Sequence, residues 1–188
     1  APKRPSQGLG DRIARNIMSK ADGVKTSPDR ITLLRDANGD GVAEFRSALL
    51  EGLHSPFGMA LVGETLYVAN TDALMAFPYK AGDTRITAKG TKVLALPSSP
   101  PNNHWARNVV ASPDGSALYI TVGSNSNIAE GGMEREKDRA LIMEYDLKTK
   151  QSLIYAYGLR NPNGLDFNPK SGTLWTVVNE RDMLGSDG

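Results

Sequence analysis

The stretch Gly158-Leu-Arg-Asn-Pro-Asn-Gly164 decides how this chain reads, because Gly52-Leu-His-Ser-Pro-Phe-Gly58 repeats its glycine, leucine, proline and glycine at the same four places. Each copy leads into a short apolar alternation, a turn and a strand with an aromatic residue, Leu66-Tyr67-Val68 in one case and Leu174-Trp175-Thr176 in the other. Between them, Asn103-His-Trp-Ala-Arg-Asn108 feeds Val109-Val110, the turn Ser112-Pro113-Asp114-Gly115 and the strand Leu118-Tyr119-Ile120. Tyr67, Tyr119 and Trp175 thus recur at spacings of 52 and 56 residues. Units of that length built from short strands predict the blades of a β-propeller or a similar β array.

The repeat gives three side chains a common phase. Four positions before Gly58, Asn108 and Gly164 stand His54, His104 and Arg160. In a propeller that position lies on the connection entering the strand nearest the axis, so neighbouring blades are expected to bring the three to one pocket. The chain has two histidines and both fall there. A loop histidine beside Pro or Trp also serves to cap a turn, and both roles stand open for each one. Their shared phase with Arg160 is the argument for convergence.

Composition sets the bounds. A chain of 188 residues, 39% hydrophobic and 23% charged, has the length and make-up of one soluble domain. Nineteen glycines and eleven prolines favour a turn-rich β architecture. A net charge of +1 offers no field that argues for nucleic acid or a membrane surface. The absence of cysteine removes disulfides, thiolate metal sites and cysteine nucleophiles together. No apolar run approaches the roughly 20 residues of a membrane span, and no charged-then-apolar leader is present.

Taken in order, residues 1–30 read as a lead-in with a short amphipathic helix, and residues 31–188 as an all-β, partial propeller domain. Leu9, Ile13, Ile17 and Met18 recur at helical spacing. That helix either packs on the side of the β domain or, being basic, lies on a membrane surface. Ile31–Arg35 and Val42–Arg46 read as two strands of a hairpin. Between them Asp36, Asn38 and Asp40, followed by Gly41, match the opening of a calcium loop. Ser47 stands where such loops close on glutamate, and Glu44 is the available substitute; a plain turn is the other reading.

The first unit runs through strands at 59–62, 65–69, 73–77 and 91–96, and Pro97-Ser-Ser-Pro-Pro-Asn-Asn103 forms a rigid, helix-excluding approach to His104. The second uses 109–111, 117–122, 140–145 and 152–157, with an insertion over 124–139 long enough to overhang a binding face. A third begins at Arg160. Three to three and a half units do not close a ring of four to eight blades. Either the rest of a longer protein or a second copy of the chain is therefore expected to cover the open edges.

At Gly158–Gly164, with Asn-His104-Trp-Ala-Arg upstream and Asn179-Glu-Arg-Asp-Met-Leu-Gly185 downstream, the chain resembles the glucose/sorbosone dehydrogenase family, most of all its sorbosone dehydrogenase-type members. These are soluble six-bladed β-propellers that use pyrroloquinoline quinone (PQQ) with calcium. The resemblance runs from about Ile31 to the end and implies a periplasmic or secreted enzyme that oxidises a sugar or sugar aldehyde. It implies that His104 takes the proton from the sugar hydroxyl, and that Arg160 and Asn161 lie beside the reactive quinone carbonyl; the shared phase of His54 places it toward the cofactor as well. The residue types suit those tasks: an imidazole titrates near working pH, and a fixed cation or amide steadies an oxygen that becomes negative. Asn103 departs from the acidic residue that better-known members carry before the histidine. The family's Gly-Tyr-Gly-Trp-Pro-like calcium stretch is expected after Gly188.

Two other classes fit the same architecture. One is a non-catalytic propeller module binding a protein or glycan. The other is a metal-dependent hydrolase, which needs two or three converging Asp, Glu or Asn ligands where the shared phase here offers His and Arg.

Overall fold

The computed structural model describes residues 27–182. The expected N-terminal helix over 8–20 lies outside the described residues. Twelve strands form four antiparallel sheets. A hairpin of β1 (Ile31–Arg35) and β2 (Phe45–Leu50) comes first. A four-stranded meander follows: β3 (Met59–Val62), β4 (Thr65–Ala69), β5 (Ala73–Pro78) and β6 (Thr91–Ala95). The second meander is β7 (Val109–Ala111), β8 (Ala117–Val122), β9 (Leu141–Asp146) and β10 (Ser152–Tyr157). The hairpin of β11 (Pro162–Phe167) and β12 (Leu174–Val178) ends the described fold. Two whole blades flanked by two halves are the partial propeller that the repeat predicts.

Side-chain alternation explains the stacking. Along β4, Leu66 and Val68 point one way, into a cluster with Leu49, Leu50, Leu53, Phe77 and Ile86. Tyr67 and Ala69 point the other way and pack with Val109, Leu118, Ile120, Val122 and Tyr145 of the next sheet. A strand buried on both faces must be apolar at every position, so its period-2 signal weakens. On β8 the alternation continues: Tyr119 turns away from that core and meets the edges of Tyr155 at 4.9 Å and Phe167 at 5.4 Å.

The first strands of successive blades are tied at their starts. The Gly58 N–H donates to Arg107 O at 2.9 Å, and the Asn108 amide donates to Asn163 O at 3.0 Å. A Cβ at Gly58 would lie 2.5 Å from Val109 N and 2.7 Å from Asn108 Cα, which is why this place in the repeat holds glycine. The glycines that open the repeat, Gly52 and Gly158, both have positive φ, at 70° and 81°.

One sequence expectation is displaced. The second strand of the first hairpin starts at Phe45 rather than Val42. Asp36 accepts from the Gly39 and Gly41 N–H groups at 2.7 and 2.8 Å, and Glu44 accepts from Ala37 N–H at 2.8 Å. These local bonds satisfy the backbone of the loop and compete with the strand ladder.

Leu74 is fully buried in the cluster between the two meanders. Leu74→Ala is expected to cost about 2–5 kcal/mol, read as a lower urea midpoint with little change in slope. A loss below 1 kcal/mol would show that the blades do not stack through this cluster.

Candidate active site

The connections entering β3, β7 and β11 and those leaving β4 and β8 lie at one end of the blades. There the tripeptide Ser124-Asn125-Ser126, just after β8, is the hub of a hydrogen-bond network. Asn125 holds the approach to β7 with its backbone and its side chain: Asn103 N–H donates to Asn125 O at 3.0 Å, and Asn102 N–H to Asn125 Oδ1 at 2.8 Å. Ser124 N–H donates to Arg160 O at 2.7 Å, which fastens the approach to β11 to the same hub.

His104 is half-buried against this tripeptide. Its Nδ1 lies 2.9 Å from both Ser124 O and Ser124 Oγ. A carbonyl oxygen only accepts, and the Ser124 hydroxyl spends its proton on Ser126 O at 2.7 Å. Nδ1 therefore carries the hydrogen, and Nε2 is left with its lone pair. Burial pushes the imidazole pKa below its ordinary value, the Ser124 carbonyl opposes this, and the Arg160 charge pushes it down further. The ring is neutral near pH 7.

Arg107 fixes the backbone beneath that ring. Its fully buried guanidinium donates to His104 O at 2.6 Å, to Ala106 O at 2.9 Å, to Pro97 O at 2.7 Å and to Asn102 Oδ1 at 3.1 Å. Burial, then the neighbouring Arg139 charge, pushes its pKa down to about 9, so it stays charged at neutral pH. Arg139 shares the Asn102 Oδ1 acceptor at 2.9 Å.

Arg160 and Asn161 arrive from the other side. All five guanidinium N–H groups of Arg160 are used within the chain, on Asn127 O at 3.0 Å, Asn127 Oδ1 at 2.6 Å, Asn179 O at 3.0 Å, Glu180 O and Asp182 at 2.9 Å. What it offers the His104 ring is charge. Asn161 is buried, and its Oδ1 has no hydrogen-bond partner. Gly123 is the floor between the two groups: a Cβ there would lie 2.5 Å from both Asn161 Oδ1 and the His104 Cβ. The structure thus brings His104, Arg160 and Asn161 together around Gly123 and Ser124.

His54 sits at the same end, but its ring faces the Asp72 carboxylate at 3.1 Å and is more than half exposed. Thr71 links the two histidine loops, donating its N–H to His54 O at 3.1 Å and its hydroxyl to Trp105 O at 3.0 Å. In the exposed loop before β2, ligand oxygens of Asp36, Asp40 and Glu44 lie within 4.8 Å of one another, and the Asn38 amide donates to Asp40 at 3.1 Å.

Sequence reasoning missed Ser124, Arg107 and Glu136, whose carboxylate binds the hub. Arg107 stands inside the quoted Asn-His-Trp-Ala-Arg motif, so its signal was in view. Ser124 and Glu136 belong to the insertion, where nothing in the repeat marks them. A cleft of about 280 Å³ opens beside the hub between Pro101 and Asn103 on one wall and Asn125, Ser126, Glu130 and Arg135 on the other.

Stacked four-stranded meanders whose loops gather a neutral imidazole, a guanidinium and a buried amide define a portion of a β-propeller with a polar site at one end. Residues 29–188 match the TrAA12-like family, and the chain belongs to it. The resemblance to PQQ-dependent propeller enzymes drawn from the motifs is borne out at that level. Among curated proteins the chain is similar to the aldose sugar dehydrogenase YliI of Escherichia coli, 28% identical over 116 residues, with 55% of this chain and 30% of that protein covered. Among solved structures it is similar to the holo PQQ domain of pyranose dehydrogenase from Coprinopsis cinerea. The TM-score is 0.66 at 21% identity, over 80% of this chain and 39% of that one. It is also similar to a calcium structure of a family AA12 enzyme from Trichoderma reesei, with a TM-score of 0.68 at 20% identity, over 81% and 41%. The chain spans well under half the length of each of these relatives.

Gly123→Ala is expected to displace the His104 ring and Asn161 together and to destabilise the fold by about 1–3 kcal/mol. Thermal unfolding and the imidazole NMR signals measure it, and an unchanged His104 signal would contradict the close approach.

Proposed function

We propose that this chain carries the base side of a PQQ-dependent site that oxidises a sugar or sugar aldehyde, with His104 Nε2 as the proton acceptor. The observation that carries the reading is the Nδ1–H bond of His104 to the Ser124 carbonyl, since it leaves Nε2 unprotonated and facing away from the hub. A half-buried, neutral imidazole is a competent base at neutral pH. The residues fit the quinone cofactor: Asn161 Oδ1 is buried without a partner and adjoins His104 across Gly123, and Arg160 is a fixed cation whose charge reaches the same ring.

PQQ, when bound, supplies the acceptor for the hydride that leaves the sugar carbon. His104 takes the hydroxyl proton at Nε2. The Arg160 charge favours the neutral ring before that transfer and steadies negative charge that develops on a nearby oxygen. Asn161 orients a donor through its free oxygen. The cleft beside the hub offers Asn125, Glu130 and Arg135 to the hydroxyls of a ligand. His54, held by Asp72, lies toward the outer part of the same face.

Calcium belongs to this reading at Asp36, Asp40 and Glu44, whose oxygens are close enough for one ion to gather, with Asn38 beside them on Asp40. Periplasmic or secreted placement also belongs to it; no helix of the described residues is long and apolar enough to cross a membrane. The remainder of the ring, or a second copy, completes the face.

With PQQ and calcium added and dye reduction followed on several aldoses, His104→Gln is expected to lower kcat about 10²–10⁴-fold. Turnover at this level by the variant would remove His104 as the base. The pH profile checks the same assignment. Because the imidazole pKa is lowered, the base is present above it, and activity is lost only as pH falls through an inflection below the ordinary histidine value of about 6.5. An inflection above that value would contradict the desolvated setting. For the calcium loop, the thermal midpoint is expected to rise on calcium addition in the parent chain and to stay put in Asp36→Asn. An equal rise in both would move the ion elsewhere.

A further inference from the structure

The insertion between β8 and β9 contains a carboxylate that the proton transfer itself does not need. Glu136 ends the single 3-10 turn Met133–Glu136, and its side chain reaches back to the hub. Oε2 accepts the Asn125 N–H at 2.6 Å. Oε1 accepts the Ser126 N–H at 3.1 Å and the Ser126 hydroxyl at 2.7 Å. Three donors from two adjacent residues converge on one carboxylate, and charge-assisted bonds of this kind are roughly twice as strong as neutral ones. From Ser126 the path continues through the Ser124 hydroxyl on Ser126 O at 2.7 Å and ends at the His104 Nδ1–H.

We infer that Glu136 is a positioning residue for His104, gathering Asn125 and Ser126 so that the Ser124 carbonyl stays where it holds Nδ1 protonated and Nε2 free. The inference rests on the reading of His104 as base for its catalytic consequence, while the positioning is measurable without turnover. The physical need is plain. The backbone leaves the β8 ladder at Gly123, so the N–H groups of Asn125 and Ser126 have no strand partner, and buried donors require an acceptor. Glu136 supplies one acceptor for both. Without it the tripeptide relaxes, the Ser124 hydroxyl is released from Ser126 O, and it can donate to Nδ1, which selects the opposite tautomer.

Glu136 also acts on the ring through its charge. The charged groups facing the imidazole are Arg160, which disfavours its protonation, and Asp182 and Glu136, which favour it. Removing the Glu136 charge therefore lowers the imidazole pKa further. A purely structural role would lower turnover at every pH and leave the inflection in place.

The chain has two histidines, so imidazole nitrogen NMR resolves both, with His54→Gln assigning the pair and His54 serving as the internal control. In the parent chain His104 is expected as the Nδ1–H tautomer. In Glu136→Gln the amide NH₂ meets the Asn125 or Ser126 donors, and His104 is expected to show mixed tautomers and a titration moved to lower pH, with the His54 signals unchanged. With PQQ and calcium, kcat is expected to fall about 10–100-fold with KM held, the scale for partners that orient a functional imidazole. A folded Glu136→Gln chain whose His104 tautomer and titration match the parent overturns the inference. Ser126→Ala removes one of the three donors and is expected to shift the tautomer ratio less, in the same direction. If Glu136→Gln does not fold, an unchanged His104 spectrum in Ser126→Ala overturns it instead. Failure of the base reading is a separate result: turnover surviving in His104→Gln leaves the tautomer measurement untouched.

Discussion

The His104 Nδ1–H bond to the Ser124 carbonyl is what the rest of the site answers to. An imidazole is symmetric in its options, and a bond to a carbonyl removes one of them, because that oxygen has no proton to give. The carbonyl is useful only if it cannot swing away. Three separate parts of the chain hold it: the Arg160 carbonyl takes the Ser124 N–H, the Asn102–Asn103 backbone donates to Asn125, and Glu136 collects the donors beyond. A short tripeptide thus joins the approaches to β7 and β11 with the insertion, and the neutral ring follows from that joint.

Buried cations serve the same end. Arg107 is wholly inaccessible and bonds four oxygens, with its Nε unpaired. The cost of burying a guanidinium is offset by oxygens of the irregular stretch from Pro97 to Ala106, those of Pro97, Asn102, His104 and Ala106. Arg107 therefore makes an irregular segment behave as a rigid one. Arg160 is handled differently: its five donors tie the 124–139 insertion to residues 179–182, and its charge reaches the ring.

The blades stack through the doubly buried strands β4 and β8, and among the described residues the face beyond β12 is open. On β12, Trp175 and Val177 are 64% and 69% exposed, on the face opposite the Phe167 contact with Tyr119. Large apolar groups at i and i+2 on an open sheet make a face suited to packing against a further layer. That agrees with a chain spanning well under half the length of its relatives.

The repeat alone revealed the blades, their strands and the common phase of His54, His104 and Arg160, because strand alternation and loop glycines are local constraints that leave a local mark. The Gly52 and Gly158 positions are the clearest case, since a left-handed backbone favours glycine, and Asn102 takes the same hand at that place in the middle unit. Folding in three dimensions was needed for everything that depends on which loop touches which. His54 and His104 share a phase, yet one ring turns to an exposed carboxylate and the other to a buried carbonyl, since the connection after β4 is three residues long and the one after β8 carries an insertion. Glu136 and Ser124 had no signature, because a hydrogen bond between residues on separate turns is set by distance and direction, and neither quantity is written in the order of the residues.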